Sequence, residues 1–316
     1  MPITATNAPL LIDRINKVIL EQEASINKLA PTIFSGEYNK ESSQDFIRGV
    51  SSMPTPSLIG VSGTSGIVNA VSPHTLTITS DKYGSSYRIG ESFEYWDSRK
   101  EDVAAMMAKG FLRSWVDLEE TIAANVLNLG FTTGASGGTK VLEATTSIAL
   151  FSASHTQRDG STVSNTGTAA LSLDALQTAV IAAQYAKDYD GRPWISMGGV
   201  TLHVGTALSM LATRIVGSTM DPNTANNSTN PIKKNGVSPY NGFVTGVVVN
   251  PRITGSNWFL LPTDKSDRAI MKVKDFDTGI VYDRTKAGDN GDHIFDRRAH
   301  MDVFVSQWQN TYGSDA

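Results

Sequence analysis

SRKEDVAAMMAKGFLRSWVDLEETIAANVLNLG, Ser98 to Gly130, decides how the rest of the chain is read. Val103, Met107, Phe111, Trp115, Leu118, Ile122, Val126 and Leu129 recur every three or four residues, which places them on one stripe of an α-helix. Ser98-Arg99-Lys100-Glu101 fits a capping box, where the serine hydroxyl and the glutamate side chain satisfy free backbone donors. Gly130 stands where a C-terminal cap glycine belongs. About 32 helical residues at 1.5 Å each span roughly 48 Å. This exceeds the usual globular helix, and no sustained heptad seam marks a coiled coil. The pattern predicts one long backbone element with the rest of the fold laid across it.

Upstream, LLIDRINKVILEQEASINKL (10–29) also has helical spacing, and Pro31 is expected to stop it. From there to about Gly66 the chain is rich in Ser, Gly and Pro (SSMPTPSLIGVSGTSG), which predicts an extended arm with little core of its own. TLTITS (75–80) then alternates strictly. DKYG (81–84) supplies turn residues, and SSYRIGESFEYW (85–96) resumes strand character. That reads as a β-hairpin with its tip at Asp81, Lys82, Tyr83 and Gly84. A two-stranded ribbon is marginal alone, so it is expected to project and be completed by a partner.

Downstream, FTTGASGGTKV (131–141) reads as a connection, and Ser172 caps a second helix, SLDALQTAVIAAQYAKDYDG. GVTLHVG (199–205) predicts a strand leading into the helix TALSMLATRIVGS, followed by a long polar loop over 220–242. Strands are predicted in FVTGVVVNPRI, NWFLLPT and AIMKVKDF, then two more around the turn Asp289-Asn290-Gly291-Asp292. The fold class is therefore mixed α+β.

The 316 residues are 40% apolar and 18% charged, ordinary globular composition with ample material for a core. Net charge is −4, and the densest basic pairs are Lys233-Lys234 and Arg297-Arg298. Tight DNA binding needs clustered cations that displace counterions, so sequence-specific DNA recognition is not expected. The absence of cysteine excludes disulfides, thiolate metal sites and a cysteine nucleophile. No apolar run approaches the ~20 residues of a membrane span, and Met1 is not followed by signal-peptide regions. The expectation is a soluble protein of a reducing cytoplasm, without membrane partners.

LFSASHTQRDG (150–160) gathers Ser152, Ser154, His155 and Asp159, the residue types of a serine hydrolase. A triad, however, is normally assembled from distant parts of a chain. Its serine also sits on a strained turn such as G-x-S-x-G, and FSAS has no glycine. A strand entering a polar loop is the better reading. GASGGTK (134–140) has Thr139 before Lys140 and Val141 after it, which breaks the phosphate-loop pattern. The histidines at 74, 155, 203, 293 and 300 lack metal spacing. No catalytic residue, cofactor site or metal site is expected.

The order of parts is more informative than any single residue. LFSASHTQRDGSTVSNTGTAALSLDALQTAV, DYDGRPWISMGGVTLHVGTALSMLATRIVGS and NPRITGSNWFLLPTD, in that order behind the long helix, resemble the major capsid proteins of tailed bacteriophages, the Hong Kong 97-type fold. The resemblance covers about residues 60–312. It implies an N-terminal arm (1–60), an extended β-hairpin loop (61–97), and a spine helix with the first part of a peripheral domain (98–190). It further implies an axial domain (191–264) and C-terminal strands of the peripheral domain (265–316). Asp81, Lys82, Tyr83 and Gly84 would then touch a neighbouring subunit, and Val103, Met107, Phe111, Trp115, Leu118 and Ile122 would pack the spine. The implied function is non-enzymatic self-assembly, through hexamers and pentamers, into an icosahedral head shell in the virion. Assembly would take place in the host bacterial cytoplasm, with scaffold, portal or decoration proteins and weakly contacted double-stranded DNA as partners. An encapsulin-like nanocompartment shell and, more remotely, a serine hydrolase are the alternatives.

Overall fold

The computed structural model describes residues 17–18, 21–22, 25–40, 45–48, 75–78, 80–90, 100–132, 140–141, 148–157, 160–184, 186–187, 191, 199–220, 230, 232, 244–268, 270–282, 292–306, 308–309 and 311–316. Along the chain run α1 (Ala30–Ile33), β1 (Gly36–Asn39), β2 (Asp45–Arg48), β3 (Thr75–Ile78), β4 (Asp81–Ile89) and α2 (Lys100–Asn128). Short strands β5 (Lys140–Val141), β6 (His155–Thr156), β7 (Thr162–Val163) and β8 (Thr166–Gly167) lead to α3 (Leu173–Gln184). Then come β9 (Val200–Val204), α4 (Ser209–Gly217), β10 (Val244–Val249), β11 (Trp258–Pro262) and β12 (Ile270–Asp277). β13 (Val281–Tyr282), β14 (His293–Val305) and β15 (Tyr312–Ser314) complete the order.

β14 is the axis of the first sheet. One edge pairs antiparallel with β12 and β13. Its other edge pairs antiparallel with β4 from Asp81↔Met301 to Ile89↔His293, and parallel with β5 beyond that. β1 extends the sheet by lying parallel to β12. Side chains alternate along a strand, so Phe295, Arg297, Ala299 and Met301 of β14 face α2, where Phe111 and Trp115 meet Ala299 and Met301. The opposite face, at Phe304 and Val273, is covered by Ile78 and Leu76 of the ribbon that β2 and β3 make.

The second sheet has the order β10-β9-β11-β15-β8. All five residues of β11 are buried, because each face of the strand meets a different core. Trp258 and Leu260 pack with Leu173, Leu176, Leu202 and Val204. Phe259 and Leu261 pack with Ile33, Val126, Leu127 and Val305. WFLLP is thus the wall that the two bodies share.

Several expectations are corrected. β3 pairs with β2, thirty residues upstream in register Asp45↔Ile78 to Arg48↔Thr75, and not with residues 85–89, which pair with β14. Asp81–Gly84 is no turn but the start of β4, because β14 offers that stretch a full antiparallel ladder; residues 91–96 lie outside the described residues. Pro31 does not end a helix. It sits in the first turn of α1, where its missing N–H costs nothing. Nor are residues 30–39 a loose arm: Ala30, Ile33 and Phe34 are core, and β1 is a sheet strand. α3, β8 and β15 belong with the second sheet, so the expected cuts at 190/191 and 264/265 do not follow the packing. Gly130 is not in the left-handed conformation. A Cβ there would stand 2.7 Å from the Phe151 ring, so the glycine serves close approach instead. Ser98 of the expected capping box lies outside the described residues.

Candidate functional site

The segment that looks most like chemistry is built as a clasp. Leu150 and Phe151 follow the end of α2, with the Phe151 N–H donating to Gly130 O (2.8 Å). The Phe151 ring lies between two glycines: an added Cβ at Gly130 or at Gly313 of β15 would each reach within 2.7 Å of it. Phe131 and Phe259 complete its surroundings, with ring centroids 5.0 and 5.3 Å away. Asn165, buried, then binds the segment in place. Its Oδ1 accepts from Ser152 N (2.9 Å), its Nδ2 donates to Leu150 O (2.8 Å), and its carbonyl accepts from Gly313 N (3.1 Å). A buried polar side chain that meets this many partners fixes the geometry around it.

His155 is fully buried and stacks on Trp308 at 3.9 Å between centroids. Its Nε2 lies 3.2 Å from Leu150 O and 3.1 Å from Asn165 Oδ1. Both are acceptors, so Nε2 carries the hydrogen and cannot take a proton from a serine. The Ser152 hydroxyl instead accepts from Ser154 N (3.2 Å). Asp159 lies outside the described residues. What is described of the Ser-His cluster is a structural clasp, without the nucleophile–base contact that catalysis needs.

Of the other predicted residues, Asp81, Lys82 and Gly84 are exposed on β4, while Tyr83 turns inward beside Phe111 and Met301. Burial, then the charges of Asp81 and Asp302, push the Tyr83 phenol up. On α2, Met107 packs near Ile89 and Phe295, whereas Phe111, Trp115, Leu118 and Ile122 gather over Ala299 and Met301. The Val103 side chain lies outside the described residues. Tyr83 alone of the first set therefore reaches the core that the second set packs.

Three polar residues that the sequence pattern did not single out hold the bodies together. Glu120, 3% exposed, accepts from Leu29 N (2.7 Å) and Ala30 N (2.9 Å), docking the start of α1 on α2. Arg268 donates to the carbonyls of Pro31, Pro262 and Thr263 at 2.8–2.9 Å, tying the same segment to β11. Asn128 donates to Arg252 O (2.9 Å) and accepts from Thr254 N (3.2 Å), and Arg252 also pairs with Asp117. The one hint in the sequence was Glu120, which lies on the flank of the apolar stripe between Val116 and Ala123, where a charge has to find a partner.

His203 faces the first core across β9, with neither ring nitrogen hydrogen-bonded among the described residues. Burial, and secondarily the Arg268 charge, push its pKa down to about 3, so it is neutral at ordinary pH. Among the described residues no group of three or more His, Asp or Glu side chains gathers to hold a metal. No described helix is long and apolar enough to cross a membrane.

A helix braced on one sheet, with a second sheet hung on its C-terminal end, is the arrangement that comparisons with known structures address. In fold the chain is similar to a structure of Mycobacterium phage Patience (9% identity, TM-score 0.54, covering 97% of this chain and 87% of that one). It is likewise similar to the mature capsid of bacteriophage PhiM1 (10% identity, TM-score 0.53, 92% and 87%) and the capsid of the cyanophage P-SCSP1u (10%, 0.51, 91% and 88%). These likenesses define the class, the Hong Kong 97-type capsid fold. No curated protein matches the sequence. The family model described as phage capsid protein matches residues 75–310, well over half of the chain, and the chain belongs to that family.

Proposed function

We infer that this protein is a major capsid protein, whose copies associate into the icosahedral head shell of a bacteriophage virion. The observation that carries the reading is the family match over 75–310, on a chain whose fold is that of assembled capsids. Enclosing a genome is favoured over the nanocompartment alternative by the same match. The protein acts by geometry and not by chemistry, and the structural role of His155 and Asn165 is in keeping with that.

The projecting element is the β2–β3 ribbon. Its strands are joined by residues 49–74, far longer than the two to five residues of an ordinary hairpin loop. A ribbon whose described anchors on the first sheet are Leu76 and Ile78 gains stability when a neighbouring copy covers it. Asp81, Lys82 and Gly84, exposed on an edge of the first sheet, offer further contact to a neighbour. Hexamers and pentamers close the contacts into rings and the rings into a shell. Scaffold, portal or decoration proteins assist assembly in the host cytoplasm. Double-stranded DNA is held weakly, since a chain of net charge −4 does not adhere to it.

Electron microscopy of the purified protein tests this. Polyhedral shells, or rings of five and six subunits, are expected. A monomer that persists at high concentration with scaffold and portal present would sink the reading.

A further inference from the structure

The ribbon that β2 and β3 make leaves the first sheet after β1 and rejoins it at β4. Its neck is therefore Lys40, just beyond β1, and Ser80, just before β4. Lys40 Nζ donates to Ser80 Oγ (3.1 Å), which ties the outgoing chain to the returning one. β12 and β14 stand between β1 and β4 in the sheet, so the tie joins segments that the sheet itself does not pair. The Lys40 N–H donates to Lys274 O (3.1 Å), which carries the β1–β12 pairing up to the neck.

Asp275 is the third member. The β12–β14 register runs from Lys274↔Met301 to Phe276↔His300, so Asp275 is the extra residue of a β-bulge. A bulge re-aims the side chain it carries. The Asp275 carboxylate lies 4.0 Å from Lys40 Nζ and 3.4 Å from His300 Nδ1. The Lys40 side chain is 1% exposed. Burying a lysine is costly, and an apolar side chain of similar length would close the neck at less expense. What the lysine adds is direction, because an ammonium is satisfied only where its acceptors stand. Leu76 and Ile78 give the ribbon an apolar seat on Val273 and Phe304, and apolar contact has no direction of its own.

We propose that Lys40, Ser80 and Asp275 form a latch that closes the neck, so that the ribbon seats on the first sheet and lifts from it as one unit. Two short strands tied at one end make a small cooperative unit, which opens while β12 and β14 stay paired. In the capsid reading, a neighbouring copy that covers the ribbon holds it where the latch holds it in the free subunit. That part alone rests on the reading.

Amide hydrogen exchange of the full-length, unassembled protein tests the latch. The amides of β2 and β3 should exchange together and ahead of those in β14. Lys40→Met should speed the ribbon amides by about tenfold or more, as loss of a charge-assisted hydrogen bond implies, and leave β14 unchanged. Lys265→Met, on an exposed turn, should alter neither set. If Lys40→Met does not fold, Ser80→Ala takes its place, with a smaller acceleration confined to the ribbon. The proposal is overturned if β2 and β3 exchange separately, if the ribbon is not accelerated, or if β14 is accelerated as much. An equal effect of Lys265→Met overturns it too. Microscopy of shells judges the capsid reading separately.

Discussion

Phe151 shows how narrow the tolerances are at the scale of one side chain. Its ring fills a slot that exists only because positions 130 and 313 have no Cβ. Gly130→Ala and Gly313→Ala should each destabilise the subunit by about 1–3 kcal/mol through overpacking. Chemical denaturation measures this, and combining either change with Phe151→Leu should recover part of the loss, because neighbours couple. Equal losses with and without the Phe151 change would refute the slot. His203 gives a second prediction. Its folded pKa lies at about 3, below the ordinary 6.5, so between those values the unfolded chain binds a proton that the folded one refuses. Stability is then full above pH 6.5 and falls as pH drops toward 3, by up to about 1.4 kcal/mol per pH unit. His203→Leu, which removes the titrating group, should flatten that part of a stability–pH curve. Neither residue's role was legible in the sequence. LFSASH displayed the right residue types for catalysis, but whether a serine meets a base depends on where Asn165 and Trp308 arrive, and those lie 10 and 153 residues beyond His155.

Elements were legible to the extent that their signals were local. The period of α2 follows from side chains within one turn of each other, so Phe111, Trp115 and Ile122 could be placed on a stripe without knowing what they cover. Strand pairing is not local. TLTI carries the same alternation whether its partner is upstream or downstream, and DKYG has turn composition but sits on a ladder with Met301 and its neighbours. The consequences are testable. Leu118→Pro should cost ~3 kcal/mol or more in the interior of α2 and abolish soluble protein. Deleting 81–84, harmless if these residues were a loop tip, should also abolish it, since Tyr83 packs on Phe111 and the β4 ladder would lose register. A folded, soluble deletion variant would contradict the observed pairing. Glu120 gives a graded case at the α1–α2 contact. Glu120→Ala leaves Leu29 N and Ala30 N without an acceptor and should cost about 1–3 kcal/mol. Glu120→Gln keeps an acceptor oxygen and replaces the buried, unpartnered Oε2 with an amide, so it should cost less.

At the scale of the whole molecule, shell formation requires the two sheets to keep one relative angle, because a small error per subunit prevents ring closure. β11 supplies the common wall, but a single strand allows rotation about its own axis. The second point of attachment is the turn after β10. There the Asn128 amide grips the backbone from both sides, at Arg252 O and Thr254 N, while Asp117 pairs with the Arg252 side chain. Two attachments define an angle where one does not. Asn128→Ala should therefore leave both sheets folded, with a loss of about 1–3 kcal/mol for the two hydrogen bonds, yet impair assembly more than that loss explains. Calorimetry on subunits and electron microscopy of shells, run on one preparation, separate the effects. A stability loss no larger than about 1–3 kcal/mol together with irregular or open shells is the expected pair of results. Regular shells from an Asn128→Ala subunit would mean that the remaining attachments, β11 and Arg268 among them, set the angle without it.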